Sequence, residues 1–195
     1  MRNQDISGVK KAMKTIFTSV LAWAGIVLIA LIFAFTAPHD ASVMGRLPEL
    51  KAQLPDRQPV SFPKGLPAER TLALVTFHRD HRKDAESWID GLQLRNDPSI
   101  AWVRMPVVND PKDPVLRSEA ETRLLSRYAS DTERSNLLPV FTDRAAFVQA
   151  TGLGNADRAH VLVVSRDGEV LARVSGQYDE ARAQTLLQTL KMQGF

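Results

Sequence analysis

The longest apolar stretch of the sequence lies near its start. Thr15–Ala37 is 23 residues long and carries no charged side chain. A helix of that length spans about 34 Å, at ~1.5 Å per residue, which is enough to cross the hydrocarbon core of a bilayer. Buried helices of globular domains seldom lack charge for so long, so the pattern predicts one transmembrane helix over residues 15–37.

The charges that flank this helix predict its orientation. Residues 1–14 form a basic tail, whose basic side chains are Arg2, Lys10, Lys11 and Lys14, and the first basic residue after the helix is Arg46. The positive-inside rule then predicts a single-pass protein of the inner (cell) membrane, with a cytoplasmic N-terminus and a periplasmic or otherwise extracytoplasmic domain. A cleaved signal peptide is the alternative. Its apolar region would be shorter, about 7–15 residues, and the cleavage-site matches are poor, so an uncleaved signal anchor is favoured.

The next stretch, residues 38–69, has the composition of a stalk. It holds six of the eleven prolines and shows little helical or strand periodicity. Prolines at such spacing favour an extended, semi-rigid chain. Residues 70–195 follow as the folded domain.

From residue 70 onward, short apolar runs alternate with amphipathic segments. The apolar and β-branched runs predict strands over residues 71–77, 100–107, 160–165 and 169–174. Helical spacing of apolar residues predicts helices over residues 84–94, 115–128, 143–151 and 179–192. In the second of these helices, the residues expected to face the interior are Leu116, Leu124, Leu125 and Tyr128.

These elements define an α/β fold with the order β-α-β, a helical middle, a β-hairpin and a final helix. The first two strands are joined by a helix, so they are expected to be parallel, with a right-handed crossover. The last two strands are separated by the Asp167-Gly168 turn and are expected to be antiparallel. A mixed sheet covered by helices on both faces follows from this order.

Composition narrows the chemistry. The chain has no cysteine, which excludes thiol catalysis, disulfides, thiolate zinc sites and iron–sulfur clusters. Its net charge is +3, and that excess lies in the first 37 residues, because the rest of the chain holds 21 basic and 21 acidic residues. The basic balance therefore reflects membrane topology and does not indicate nucleic-acid binding. No phosphate loop or dinucleotide motif occurs in the sequence, and no cofactor is expected.

The order of the elements and two segments in particular resemble the thioredoxin-like superfamily. Leu138–Leu153 is similar to the stretch of redoxin and peroxiredoxin domains in which a short helix follows a turn and ends at glycine. His160–Gly176 is similar to the hairpin that comes next, with its Asp-Gly turn. Thr71–Trp88 is also similar in outline to a cysteine-free, thioredoxin-like family of mitochondrial ATP synthase assembly factors. The resemblance implies a thioredoxin-like mixed sheet over residues 70–192.

The same resemblance implies a place for chemistry that this chain lacks. Redox members of the superfamily carry their nucleophilic cysteine where the first strand passes into the first helix. In this chain that place is residues 78–84, which read His-Arg-Asp-His-Arg-Lys-Asp. The superfamily's cis-proline before the hairpin is missing as well, since Ala159 and His160 occupy that region. Thiol redox activity is therefore excluded, and no other catalytic residue can be carried over.

Residues 78–84 nevertheless hold the cluster most suggestive of chemistry, and three interpretations are open. His78 and His81 are residue types that bind metals, although the neighbouring cationic side chains would repel a metal ion. The segment could instead be a surface that binds a partner or an anion, formed by His78, Arg79, Asp80, His81, Arg82 and Lys83. It could also be a solvated helix start, with Asp80 or Asp84 as its N-cap.

The sequence thus predicts a membrane-anchored, non-redox thioredoxin-like domain that acts as a binding, chaperone-like or assembly module. Its expected contacts are the lipid bilayer and a protein partner in the membrane or envelope. The alternative is a metal-handling protein or enzyme that uses His78 and His81 at the vacant redox position. A purely structural pseudo-redoxin within a larger complex is the third possibility.

Overall fold

The structure is a computed structural model of the chain, and it describes residues 44–53, 59–128, 130 and 134–192. The basic tail and the predicted membrane helix at residues 15–37 lie outside these ranges. Among the residues that are described, no helix is both long and apolar enough to cross a membrane.

The described residues form seven strands and four α-helices. The strands are β1 (Leu50–Gln53), β2 (Pro59–Phe62), β3 (Arg70–Thr76), β4 (Trp102–Asn109), β5 (Val140–Thr142), β6 (His160–Ser165) and β7 (Val170–Ser175). The helices are α1 (Arg82–Gly91), α2 (Pro114–Leu125), α3 (Arg144–Ala150) and α4 (Glu180–Lys191). Each predicted helix and strand of the domain is present, with ends that differ by a few residues.

Five strands form one mixed sheet in the order β5-β4-β3-β6-β7. β3 is parallel to β4, β4 is parallel to β5, and β6 is antiparallel to both β3 and β7. The predicted parallel pair and the predicted hairpin are therefore confirmed. β5 was not predicted as a strand, because its three residues are too few to show an alternating pattern.

Side chains of the central strand alternate between two apolar cores, one on each face of the sheet. Leu72 and Leu74 of β3 pack in the same cluster as the buried residues of α1 and α4. Ala73 and Val75 point the other way and pack in the cluster that contains Phe147 of α3. This alternation is the two-residue period of a strand, and it confirms that helices cover both faces.

Part of the proline-rich stretch assigned to a stalk is folded. β1 and β2 pair as an antiparallel two-stranded sheet. Leu47, Phe62 and Leu66 are buried in the core cluster that covers one face of the main sheet. The backbone N–H of Leu47 donates to the carbonyl of Gly168 at 2.7 Å. The apolar residues of this stretch are widely spaced and pack against parts of the chain that are distant in sequence. Their burial therefore could not be predicted from a local hydrophobic pattern.

The contact between this segment and α3 gives a test. Gly152 follows α3 with a positive φ of 66°, and a Cβ built there would lie 1.9 Å from the carbonyl oxygen of Met44. We expect Gly152→Ala to lower the free energy of unfolding by about 2 kcal/mol or more, because it combines left-handed strain with a backbone clash. Chemical denaturation measures the change.

Gly154 provides the matched control. A Cβ at that position meets no atom within 4 Å, and no positive φ is involved. Gly154→Ala should therefore change stability by less than about 0.5 kcal/mol. Equal losses in the two variants would show that residues near 44 do not pack against the end of α3.

Candidate functional site

Residues 78–84, where the sequence resemblance implies a redox position, run directly from the end of β3 into α1. A single turn of 3-10 helix at Arg79–His81 comes first, and α1 begins at the next residue. His78 and His81 occupy the two N-cap positions, and neither makes a side-chain cap hydrogen bond. The expectation that Asp80 or Asp84 caps the helix is wrong, because the chain is already helical at both positions. Asp84 instead lies in the first turn of α1, where its charge favours the positive end of the helix dipole.

The two histidines of the segment have different surroundings. Their rings meet edge to face with centroids 5.5 Å apart. His78 is exposed, and its Nε2 lies 3.4 Å from a guanidinium nitrogen of Arg144. His81 is buried, and its Nδ1 accepts a hydrogen bond from the backbone N–H of Phe77 at 3.3 Å. His81 is thus buried inside the fold, whereas His78 faces solvent beside the guanidinium group of Arg144.

This geometry leaves metal binding by His78 and His81 as a prediction. Within the described ranges, no group of three or more histidine, aspartate or glutamate side chains is placed to hold a metal ion. One ring nitrogen of His81 is occupied by the backbone of Phe77. A site with two imidazoles would need further ligands, which protein metal centres normally supply from nearby side chains or water.

A third histidine, His160 at the start of β6, lies close to the buried one. Its ring packs edge to face against Phe77 at 6.1 Å, and its Nε2 lies 2.9 Å from the carbonyl oxygen of Asn155. Burial lowers the pKa of His160, and the charges of His81 and Arg173 lower it further, against the Asn155 hydrogen bond. Burial and the charge of His78 likewise lower the pKa of His81, against a backbone hydrogen bond and two nearby aspartates. Both imidazoles are therefore preferentially neutral in the folded domain.

These two shifts predict how stability depends on pH. An imidazole whose folded pKa lies below its ordinary value of about 6.5 binds a proton more readily when unfolded. The stability that such an imidazole contributes is fully present above about pH 6.5. It is lost as the pH falls through the lower pKa of the folded state. We expect the thermal midpoint to fall between about pH 7.5 and about pH 5, a window above the usual titration of carboxylates. His81→Gln and His160→Gln should flatten this dependence, and a midpoint that rises on acidification would contradict the assignment.

The predicted partner surface is mostly accessible. His78, Arg79, Asp80, Arg82 and Lys83 are exposed, and only His81 of the six predicted residues is buried. The exposed part therefore carries three cationic side chains and one carboxylate at the place where the sequence resemblance implies a redox cysteine.

Beside this surface lies a pocket of about 90 Å³, between the end of β3, the start of α1, β4 and the end of α2. Four arginines line it, namely Arg79, Arg82, Arg104 and Arg127. Within the described ranges, none of its lining residues carries a carboxylate. Leu74, Ala85, Val107 and Leu124 supply apolar wall, and the ring of Tyr128 lines the same space.

Arg104 is the residue of this pocket that sequence reasoning missed. It lies in the middle of β4, where its neighbours are buried and apolar, and its side chain is only 4% exposed. Its Nη1 donates to Glu86 of α1 at 2.5 Å, and its guanidinium lies near the rings of Trp102 and Tyr128. A lone arginine within an apolar strand was the available signal, because a buried charge needs a partner.

Glu86 connects this arginine to the surface of α1. Burial alone would raise its pKa, but hydrogen bonds and charge from Arg104 and Arg95 outweigh burial and hold the pKa of Glu86 below its usual range. The carboxylate is therefore ionised at neutral pH and balances one of the pocket arginines.

Comparison with known proteins bears on the fold alone. No protein-family model matches the sequence, and no curated protein matches it. Solved structures do match. A candidate electron transfer protein from Aquifex aeolicus VF5 superposes with a TM-score of 0.53 at 13% identity, covering 76% of this chain and 94% of its own. BsSco, a member of the Sco family of cytochrome c oxidase assembly proteins, superposes with a TM-score of 0.50 at 15% identity, covering 74% and 91%.

Both similarities extend over nearly the whole length of the compared proteins. Identities this low carry no information about activity. The domain therefore has a thioredoxin-like fold, as its sequence predicts, and it has that fold without a cysteine.

Proposed function

We propose that this protein is a membrane-anchored, non-redox binding or assembly module that presents its thioredoxin-like domain outside the cell membrane. The observation that carries the proposal is the surface formed by residues 78–83, at the end of β3 and the start of α1. It holds no cysteine, serine or threonine, and it exposes Arg79, Arg82 and Lys83 to solvent. A rigid scaffold that displays charged side chains at one edge suits electrostatic recognition of another protein.

The fold is compatible with an assembly role. BsSco is described as belonging to a family of cytochrome c oxidase assembly proteins, and it shares the fold of this domain. An assembly module has to bind its client and need not carry out thiol chemistry on it. The absence of cysteine from the whole chain is consistent with such a role.

Site-specific photo-cross-linking in intact cells tests partner binding. A photoreactive residue replaces Lys83, which is exposed next to the loop, or Gln188, which is exposed on α4. We expect a discrete protein adduct from position 83 and none from position 188. Absence of any adduct from position 83, or the same adducts from both positions, would contradict recognition through this loop.

The anchor and its orientation are tested separately. The charge-free run at residues 15–37, preceded by four basic residues, supports a cytoplasmic N-terminus and an extracytoplasmic domain. A C-terminal alkaline phosphatase fusion should be active, since that enzyme matures only outside the cytoplasm, and the fusion should resist alkaline extraction from membranes. An inactive fusion at normal expression would contradict the orientation.

A further inference from the structure

The arginine pocket contains an unused set of hydrogen-bond donors. Arg104 is buried, and its Nε and Nη2 atoms have no hydrogen-bond partner. Its third nitrogen, Nη1, is the one that donates to Glu86. Buried donors without partners are rare in native proteins and costly, so this pair calls for an explanation.

The two unpartnered atoms belong to the same edge of the guanidinium group. Nε–H and one N–H of Nη2 point in parallel from that edge, and this is an arrangement with which arginine holds both oxygens of a carboxylate. Glu86 occupies a different part of the group and leaves this edge available. This edge of Arg104 is therefore suited to bind one planar oxyanion.

Charge around the pocket favours the same kind of ligand. Arg79 and Arg127 line it, and neither forms an ion pair with any other described residue. The carboxylate that pairs with Arg104 belongs to Glu86, and it is already shared with Arg95 and, at 3.7 Å, with Arg82. An anion that enters the pocket thus meets cations and no opposing carboxylate among the described lining residues.

The walls of the pocket favour a carboxylate over a phosphate. A pocket of about 90 Å³ has space for a carboxylate and a short methylene stem. Leu74, Val107 and Leu124 provide apolar surface for such a stem. A phosphate group has more oxygens, and those facing this apolar wall would lose their hydrogen bonds to water without replacement.

We infer that this pocket binds the carboxylate of an acidic side chain from the protein partner, with the Nε/Nη2 edge of Arg104 holding both oxygens and Arg79 and Arg127 at the rim. The inference rests on the proposed function and names the chemistry of the partner segment. Nε and Nη2 have almost no exposed surface. The Tyr128 ring lines the pocket with its centroid 5.7 Å from the guanidinium carbon of Arg104, and in this inference the ligand reaches the two donors by displacing that ring.

Calorimetric titration of the full-length chain in a zwitterionic detergent tests the inference. The probes are hexaglutamate and hexaglutamine peptides of equal length at fixed ionic strength, inorganic phosphate, and vesicles of anionic or zwitterionic lipid. We expect hexaglutamate to bind and the other probes to bind at least about tenfold more weakly, because only hexaglutamate offers a carboxylate on an apolar stem. Phosphate or anionic vesicles that bind as tightly as hexaglutamate would overturn the assignment of the ligand.

Three variants locate the binding. Arg104→Lys keeps the charge and can still pair with Glu86, but it lacks the two-donor edge, and we expect about tenfold weaker binding of hexaglutamate. Arg127→Gln should weaken binding about threefold or more, by removing a rim charge. Arg123→Gln, an equal charge loss on α2 outside the pocket lining, should leave binding unchanged. Circular dichroism shows whether each variant is folded. If Arg104→Lys does not fold, the comparison of Arg127→Gln with Arg123→Gln decides whether hexaglutamate binds in the pocket.

The outcomes separate this inference from the proposed function. Equal losses in Arg127→Gln and Arg123→Gln would mean that binding depends only on overall charge, and the pocket would then be excluded. If hexaglutamate does not bind while the adduct at position 83 persists in the Arg104→Lys chain, the carboxylate inference fails and the binding module stands. If the adduct is missing and hexaglutamate still binds through Arg104, the pocket is an anion site and the partner proposal fails.

Discussion

Replacing Glu86 with alanine should lower the free energy of unfolding by about 2–4 kcal/mol, somewhat less than the loss for a fully buried ion pair. Arg104 is only 4% exposed and has Glu86 as its one hydrogen-bond acceptor among the described residues. The substitution therefore leaves a buried guanidinium without compensation. The expected loss is reduced because a quarter of the Glu86 side chain is exposed and water can partly replace it. Urea denaturation of the full-length chain in detergent, followed by circular dichroism, measures the change.

Two further variants distinguish an unpaired charge from a general loss of packing. Arg95→Ala removes a second, more exposed partner of Glu86 and should cost less than about 1 kcal/mol. Arg104→Met in the Glu86→Ala background removes the unpaired charge and should recover most of the lost stability. Glu86→Ala that costs no more than Arg95→Ala, or a double variant less stable than Glu86→Ala, would show that the buried pair is not what the α1–β4 contact depends on.

The ion pair also shows why the site was harder to predict than the fold. Strands β3 and β6 have short apolar runs, and α4 has an apolar stripe that follows Asp179, whose side chain accepts from the backbone N–H of Arg182. Such local patterns carry their own period, and they determine which elements form. Glu86 and Arg104 are 18 residues apart on different elements, and no period relates them. The position of residues 78–84 was predicted from the resemblance to the thioredoxin-like superfamily. The pocket beside them is formed by tertiary packing, and no local sequence pattern indicates it.

Two errors in the helical and proline-rich regions have the same cause. Leu116 was expected to face inward but is 51% exposed, whereas Leu124 and Tyr128 at the other end of the helical prediction are buried. α2 contacts the domain near its C-terminal end, where Leu124 packs against Leu137, so its own periodicity did not show which part is covered. The hairpin formed by β1 and β2 was missed for a similar reason, because its burial depends on distant residues.

Trp88 is the residue whose truncation should cost the most stability in the domain. It is fully buried on α1, its Nε1 donates to the carbonyl of Gly176 at 2.8 Å, and its ring meets Tyr178 edge to face at 5.2 Å. Trp88→Ala should lower the free energy of unfolding by about 3–5 kcal/mol, through lost apolar burial and the cavity that remains. Trp88→Phe keeps most of the packing but leaves a buried carbonyl without its donor, so we expect about 1–3 kcal/mol.

Trp88 anchors α1 against the sheet, and α1 carries Glu86 and part of the cationic surface at residues 78–83. Truncation of Trp88 is therefore expected to affect the candidate site as well as stability. Val115→Ala, at a position 67% exposed on α2, is the control and should change stability by less than about 0.5 kcal/mol. Trp88→Phe should remain folded at room temperature and still bind hexaglutamate, although more weakly if α1 shifts away from β4. A phenylalanine variant as unstable as Trp88→Ala would mean that the hydrogen bond to Gly176, and not the apolar volume of the ring, holds α1 against the sheet.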